Sequence, residues 1–379
     1  MPLNRKIGGY ITANPVAPAG PYQDNVADGV WTLSQQLQYV SAGAWPTAGR
    51  GQYIAVAHNN SPYVSAYPWS GSGFGTKFAN PATLPTGTYG SNVEFTSAGN
   101  AIAVAGATSD PNISAYPWSV SGFGTRFTNP ATLPTGTGQG VAFTSTDNAI
   151  AVVHNATPFV SAYPWSVSGF GTKFANPATL PTNASFGVAF SPLSDAIVIT
   201  NASSPFVFAY PWSGSGFGTK FTDPATTPTG ISYEVAFSPA GDAVAVSHDT
   251  TPFISAYLWS ASGFGTKFAN PATLPTGSGY GVAFSPAGNA IAVAHVTTPF
   301  VTAYPWSGSG FGTKFANPAT LPAGTGVGVA FSPLSDAIAV AHSTTPFVTA
   351  YPWSTGGFGI KYTNPATLPT GTGNGVAFG

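Results

Sequence analysis

The sequence predicts an all-β fold, a seven-bladed β-propeller with four strands in each blade. Three observations predict it: a fixed repeat, side-chain alternation within the repeat, and a strand shared between the two ends of the repeat region. The motif Ala-Tyr-Pro-Trp-Ser, or a one-residue variant, has its tryptophan at Trp69, Trp118, Trp165, Trp212, Trp259, Trp306 and Trp353. Five of the six intervals are 47 residues and the first is 49. Such a period is typical of repeat architectures, in which each unit buries its apolar surface against its neighbours.

One repeat contains four predicted strands. In the unit from Gly281 to Val327 they are residues 281–284, 290–295, 300–306 and 311–317. Turns rich in Gly, Pro, Ser and Asn separate them. Four strands in about 47 residues match the size of one propeller blade.

The second strand of this unit alternates between bulky and small side chains. Ile291, Val293 and His295 share one face, and the opposite face holds only alanine. Large groups over small ones fill the space between stacked sheets. The alternation therefore predicts that identical sheets stack face to face.

The two ends of the repeat region complement each other. Tyr53–His58 is a second strand with no first strand before it, and Gly375–Phe378 is a first strand with no blade of its own. We expect them to pair and to close a ring of seven complete blades. The predicted propeller spans residues 51–379, and residues 1–50 form a separate N-terminal extension.

The composition limits the classes of partner. The chain has 379 residues, of which 6% are charged, with a formal net charge of -1. We therefore expect no nucleic-acid partner. Cysteine is absent, so neither disulfides nor thiolate metal sites hold the fold. Met1–Tyr10 lacks the apolar run of a secretory signal, and no segment approaches the ~20 apolar residues of a membrane span, so we expect neither export by such a signal nor membrane insertion.

The segment Phe284-Ser-Pro-Ala-Gly-Asn-Ala-Ile-Ala-Val-Ala is similar to the strand, turn and strand of the WD-repeat propeller family. Tyr304-Pro-Trp306 lies where that family places its tryptophan, and the resemblance covers all seven repeats. The chain departs from the pattern because Ser307 replaces the aspartate after the tryptophan, and because the connection before the first strand has no histidine. The family's buried hydrogen-bond network is therefore not carried over, and we expect proline-rich turns in its place.

All five histidines occupy one repeat position, eleven residues before the blade tryptophan. They are His58, His154, His248, His295 and His342. Adjacent second strands in the ring should lie roughly 10 Å apart, whereas the ligands of one metal ion converge within a few Å. We therefore predict no metal site. A structural role is favoured, and a ligand-contacting ring at one rim is the alternative.

Seven cations also share one repeat position, eight residues after the tryptophan. They are Lys77, Arg126, Lys173, Lys220, Lys267, Lys314 and Lys361. An exposed lysine on an outermost strand protects an unpaired edge against aggregation, which is the favoured interpretation. The alternative is a cationic belt that binds acidic sugars or a protein partner.

Nothing in the sequence indicates catalysis. Aspartates occur in turns, and Glu94 and Glu234 lie on first strands, but no paired carboxylates, nucleophile motif or phosphate loop stands out from the repeat. Two irregular regions exist, the two extra residues between Trp69 and Trp118 and the stretch from Thr222 to Glu234. We interpret them as drift, and the repeated aromatic residues as inter-blade core rather than sugar-stacking platforms. We therefore expect no enzymatic activity and no cofactor.

The first fifty residues lack the sequence pattern of the repeats. Thr32-Leu-Ser-Gln35 fits a capping box and predicts one short helix near residues 33–41, after a proline-rich segment. We predict that residues 1–50 are an anchor for assembly. Its predicted apolar contacts are Trp31, Leu33, Leu37, Tyr39 and Trp45.

Residues 29–46, with Gly-Val-Trp, a small predicted helix and Trp-Pro, resemble a short segment of structural proteins of tailed bacteriophages. Repeats with Tyr-Pro-Trp-Ser and Asn-Pro-Ala-Thr-Leu-Pro-Thr-Gly are similar to phage and environmental virus sequences. The resemblance implies a non-enzymatic protein at the virion surface, part of a larger assembly. Residues 1–50 would bind other virion proteins, and the propeller would attach to a host-surface glycan or protein. The alternatives are a capsid or tail decoration (cement) protein, and a cellular WD-like scaffold or lectin.

Overall fold

The structure is a computed structural model that describes residues 53–85, 87, 89–106 and 111–379. These residues form seven antiparallel sheets of four strands each, which confirms the predicted propeller. The blades are numbered 1 to 7 in the order of their tryptophans, from Trp69 to Trp353. The predicted N-terminal helix and anchor lie outside the described residues.

The strand bounds follow the repeat. In chain order the strands are β1 Tyr53–His58, β2 Val64–Ser70, β3 Gly73–Phe74, β4 Gly90–Phe95, β5 Ala101–Gly106, β6 Ile113–Ser119, β7 Gly122–Phe123, β8 Gly138–Phe143, β9 Ala149–His154, β10 Val160–Ser166, β11 Gly169–Phe170, β12 Ser185–Phe190, β13 Ala196–Asn201, β14 Val207–Ser213, β15 Gly216–Phe217, β16 Ser232–Phe237, β17 Ala243–His248, β18 Ile254–Ser260, β19 Gly263–Lys267, β20 Gly279–Phe284, β21 Ala290–His295, β22 Val301–Ser307, β23 Gly310–Phe311, β24 Gly326–Phe331, β25 Ala337–His342, β26 Val348–Ser354, β27 Gly357–Phe358 and β28 Gly373–Phe378. The first strand of each blade lines the centre of the ring, and the fourth is outermost.

Blade 1 is completed by both ends of the repeat region, as predicted. Its strand order is β28-β1-β2-β3. Ile54 lies opposite Phe378, and Val56 lies opposite Val376, in an antiparallel pair. The backbone of Tyr53 also exchanges two hydrogen bonds with Gly379, at 3.2 and 3.1 Å. The ring is therefore closed by hydrogen bonds between distant segments.

Neighbouring blades pack a bulky face on a small face, which confirms the alternation predicted from the sequence. Ile338 and Val340 of blade 7 lie in one buried cluster with Ala292 and Ala294 of blade 6. The same arrangement joins blade 6 to blade 5. Both faces of every second strand are thus covered, and every second-strand residue is buried.

The blade tryptophans belong to the inter-blade core. The Trp306 ring meets the rings of Phe311 and Phe284 in its own blade and of Phe268 in blade 5 at centroid distances of 5.1, 5.0 and 5.1 Å. The interplanar angles, 87°, 76° and 75°, are the edge-to-face geometry that aromatic pairs prefer. The tryptophan rings are therefore part of the packed core between blades.

In six of the seven blades, a buried tyrosine links the blade to the connection that leaves the preceding blade. The hydroxyl of Tyr304 donates to the backbone oxygen of Thr273 at 2.8 Å, inside the proline-rich segment of blade 5. The same bond occurs at Tyr67, Tyr116, Tyr163, Tyr210 and Tyr351. In blade 5 the Tyr257 hydroxyl has no partner among the described residues. These bonds are inter-blade links that need neither the aspartate nor the histidine of the WD repeat.

The fourth strands are shorter than predicted. The sequence suggested a strand over residues 311–317, whereas β23 pairs over Gly310–Phe311 only. The amide of Trp306 points to the second strand and donates to Asn289, so the nitrogen of Pro305 points to the fourth strand, where it has no hydrogen to donate. Blade 5 has Leu258 at this position, and its fourth strand extends over Gly263–Lys267.

Candidate functional site

The cations do not project as a belt. In Lys77, Lys173, Lys267, Lys314 and Lys361 the ammonium donates to an asparagine three residues later, and Lys220 pairs with Asp223. The Lys220 side chain is 15% exposed, and its ammonium lies 5.1 Å from the centroid of the Phe208 ring. Arg126 donates to the Leu84 backbone oxygen at 3.4 Å. Each cation is held by nearby groups of the propeller, so the expected exposed edge lysines are in fact partly buried.

The five histidines are fully buried. In each, Nε2 lies within hydrogen-bond distance of a serine or threonine hydroxyl on the adjacent third strand, at 2.8 to 3.1 Å. Burial lowers the pKa of all five rings to about 4, which keeps them neutral at pH 7. Because the rings are covered, they do not form a ligand-contacting ring at a rim. The structure favours the structural role.

The aspartates of the first turns also have structural partners. Asp195, Asp242 and Asp336 each accept a hydrogen bond from a serine hydroxyl four residues earlier, at 2.6 to 2.7 Å. Asp147 accepts two backbone N–H bonds from Ser97 and Ala98 of the neighbouring blade, at 2.7 and 2.8 Å. These carboxylates therefore stabilise turns and join blades.

One strand position departs from the repeat more than any other. The first strands read Gly-x-Gly-Val-Ala-Phe with few changes, and the valine and phenylalanine are the same in all seven. At x, the second position, the seven blades hold six residue types. In chain order they are Ser91, Gln139, Phe186, Tyr233, Tyr280, Val327 and Asn374.

The seven variable side chains line one cavity. The first strands surround a central channel of about 810 Å³, and every second-position residue contributes to its wall. All seven are partly exposed. Because they lie near the start of strands that run along the channel, they form a ring around one end, the channel mouth. Tyr89, one of the extra residues of blade 2, lines the channel as well.

The channel mouth has an aromatic half and a polar half. Phe186, Tyr233 and Tyr280 come from the consecutive blades 4, 5 and 6, with centroid separations of 5.4 Å and 4.6 Å between neighbours. Asn374, Ser91 and Gln139 come from blades 1, 2 and 3. Asn374 and Ser91 donate to backbone oxygens of the next blade at 2.7 and 2.8 Å. Within the described part of the chain, the Gln139 amide has no hydrogen-bond partner.

Two glutamates lie deeper in the same channel. Glu234 occupies a position that is glycine in five blades, and Glu94 one that is alanine in the other six. Asn92 of blade 2 donates to Glu234 of blade 5 at 3.3 Å. These blades are three steps apart in a ring of seven, so the bond crosses the channel. Glu234 also accepts from the Val235 amide at 3.1 Å.

The channel keeps these carboxyl groups largely protonated at pH 7. Burial raises the pKa of Glu94 to about 8, and the charge of Asp147 adds to the shift. Burial also raises the pKa of Glu234 to about 8, with a further contribution from Glu94 and an opposing one from the Val235 amide. No lysine, arginine or histidine lines the described channel. A neutral carboxyl group can both donate and accept a hydrogen bond.

The sequence motifs did not reveal this site. The stretch that contains Tyr233 and Glu234 resembles ordinary variation within the repeat, and Glu94 and Glu234 are isolated residues on first strands. A comparison of the seven repeats position by position would have found the signal, because the variation collects on one strand position. Among the described residues no group of three His, Cys, Asp or Glu side chains is placed to hold a metal ion. The described part also contains no helix long and apolar enough to cross a membrane.

The fold is shared with solved propellers of low sequence identity. No protein-family model and no curated protein matches the sequence. A candidate 6-phosphogluconolactonase of Bacteroides fragilis superposes with a TM-score of 0.68 at 10% identity, covering 88% of this chain and 99% of that one. A protein of Lactobacillus plantarum gives 0.68 at 13%, covering 86% and 99%. A functionally unknown protein of Desulfotomaculum acetoxidans gives 0.64 at 14%, covering 86% and 98%. These likenesses support the fold; the connection to virion proteins stays a prediction.

Proposed function

We propose that the protein is a non-enzymatic virion structural protein of a bacteriophage. Residues 1–50 anchor it to other virion proteins, and the propeller is displayed for attachment to the host surface. The observation that supports attachment is the channel mouth, where otherwise uniform blades differ in size, aromaticity and polarity. The resemblance of residues 29–46 and of the repeats to phage sequences supports the virion setting.

The geometry favours one binding site rather than several equivalent ones. Symmetric rim loops would offer one weak site several times, and binding would then depend on avidity. The channel mouth instead combines seven different environments around one opening. An open cavity with aromatic walls and a few polar groups is the usual form of a ligand site.

Lactone hydrolysis is the competing function, because two of the similar propellers are candidate 6-phosphogluconolactonases and two carboxyl groups line this channel. The lack of a cation opposes it. A 6-phosphorylated substrate needs cationic donors for its phosphate, and the described channel lining offers none. A decoration protein that binds no receptor, and a cellular scaffold or lectin, also compete with the attachment function.

The anchor is tested with the full chain and a matched double variant, Trp31→Ala/Trp45→Ala. An antibody to the propeller should label particles from a culture that expresses the gene. The variant should keep the folded propeller, measured by its thermal unfolding, but lose incorporation into particles. Unlabelled particles would contradict the virion proposal, and normal incorporation of the variant would contradict the anchor. Turnover of 6-phosphogluconolactone by the purified chain, lost in Glu94→Ala, would favour the enzyme.

A further inference from the structure

The two halves of the channel mouth match the two kinds of surface on a sugar ring. A pyranose has C–H groups on its faces, which pack on aromatic rings, and hydroxyl groups around its edge, which need hydrogen-bond partners. Phe186, Tyr233 and Tyr280 provide contiguous aromatic surface. Gln139 lies on the polar half with its amide free to bond within the described residues.

The lack of a cation decides the class of sugar. The channel holds the carboxyl groups of Glu94 and Glu234 and, in its described lining, no cationic side chain. A carboxylate, sulfate or phosphate on a ligand would leave water and find no cationic partner in this lining. Neutral hydroxyl groups find donors and acceptors in the amides and in the carboxyl groups.

Depth decides which part of a glycan enters. The cavity of about 810 Å³ lies within the range of small-ligand sites. The hydrogen bond from Asn92 to Glu234 crosses the channel at the third strand position, next to the mouth. This bridge obstructs passage of a long chain through the ring, so only the end of a glycan can be bound on the mouth side.

We infer that the channel mouth binds the terminal residue of an uncharged glycan, packed against the aromatic surface of Phe186, Tyr233 and Tyr280 and hydrogen-bonded by Gln139. This inference rests on the proposed attachment function and supplies the class of its ligand.

The test uses substitutions that sibling blades already contain. Val327 of blade 7 occupies the equivalent position, so Tyr280→Val and Gln139→Val replace a side chain by one that the blade accepts. Val120→Ala, at a residue 79% exposed on an outer turn, is the control. Thermal unfolding of each variant verifies folding. The probes are lactose, maltotriose, cellotriose and an N-acetylglucosamine trimer, with a galacturonic acid trimer for comparison, in titration calorimetry at pH 7.

We expect the wild-type protein to bind at least one neutral probe in preference to the galacturonic acid trimer. Tyr280→Val and Gln139→Val should each weaken this binding about tenfold, which corresponds to the loss of one stacking or hydrogen-bonding contact. Val120→Ala should bind like the wild type. Weakening by the mouth variants at equal folding would place the ligand at the mouth.

The opposite results overturn the inference in distinguishable ways. Preferred binding of the acidic trimer would contradict the neutral class, and equal binding by wild type and mouth variants would contradict the site. Absence of binding to every probe would also contradict the inference. If antibody-labelled particles still adsorb to host cells through the channel mouth, the proposed attachment function stands and its ligand belongs to another class. Unlabelled particles would instead contradict the proposed function itself.

Discussion

The second strands and the starts of the first strands show opposite degrees of repetition. Branched residues alternate with small ones in nearly every second strand, and all of these residues are buried. At the second position of the first strand, seven blades hold six residue types, all partly exposed. A closely packed interface tolerates few changes of volume, whereas an open channel mouth imposes no such limit. Packing between blades therefore fixes the second strands and the faces that cover them, here called the body of the ring, and leaves the channel mouth free to differ from blade to blade.

The largest expected effect on stability comes from breaking the closure of the ring. Deletion of residues 375–379 removes most of β28 and leaves β1 without its hydrogen-bonded neighbour. We expect a loss of several kcal/mol in the free energy of unfolding, since Val376 and Ala377 leave buried clusters. Urea denaturation measures it, with Ile360→Ser, at a residue 87% exposed, as the control. An unchanged midpoint after the deletion would show that ring closure does not stabilise the body.

The pH dependence of stability distinguishes the buried histidines of the blades from the carboxyl groups of the channel. The five histidines have pKa values near 4 in the folded state and 6.5 in the unfolded state. Between pH 4 and pH 6.5 they are therefore protonated only in the unfolded chain. Stability falls as pH drops through this range. Glu94 and Glu234, with pKa values near 8 against 4.5, act oppositely, and stability falls as pH rises from 4.5 to 8. Five groups outweigh two below pH 6.5, so we expect maximal stability near pH 6.5.

Two variants assign the limbs of this profile. His295→Asn introduces the residue that blade 4 has at this position, Asn201. It should reduce the loss of stability at acidic pH by the contribution of one of the five histidines. Glu94→Ala introduces the alanine of the other six blades and should flatten the alkaline limb only. Melting temperatures from pH 4 to 9 provide the measurement. An alkaline limb that Glu94→Ala leaves unchanged would show that the channel carboxyl is not its source.

The inter-blade tyrosines offer a smaller effect with a built-in control. Tyr304→Phe removes the hydroxyl that donates to Thr273, and we expect a loss of about 1 kcal/mol. Tyr257→Phe removes a buried hydroxyl that has no partner among the described residues, so its cost should be near zero or negative. Chemical denaturation of both variants measures the difference. Equal losses would mean that the hydrogen bond itself contributes little.

The smallest expected effect is at the mouth. Tyr280→Val should change the free energy of unfolding by less than about 1 kcal/mol, because its side chain is partly exposed, a sibling blade has valine there, and the main loss is the edge-to-face contact with Tyr233. The comparison body substitution, Val293→Ala in a fully buried cluster, should cost more than about 1 kcal/mol. A mouth substitution as costly as the body one would remove the distinction between the two regions.

The sequence was sufficient for what the blades share. The second strand Ala290–His295 was predicted with its observed bounds, and closure by β28 followed from the strand count. The fourth strand was overestimated because the effect of Pro305 depends on which neighbour its nitrogen faces. The variable strand position is visible in the repeats, but the bond between Asn92 and Glu234, 142 residues apart in the sequence, forms only across the closed ring.

Closure of blade 1 has a consequence for the rate of folding. Each other blade is built from strands that follow one another in the chain, whereas Asn60 and Thr370 bond across 310 residues. Contacts between distant segments form slowly, because the entropy of closing the loop is lost before the contact stabilises it. We expect six blades to acquire structure early and the docking of β28 to limit the overall rate. All first strands share the valine and phenylalanine of β28, so during that interval another copy of the chain could supply the missing strand, and refolding at high protein concentration should yield strand-exchanged oligomers.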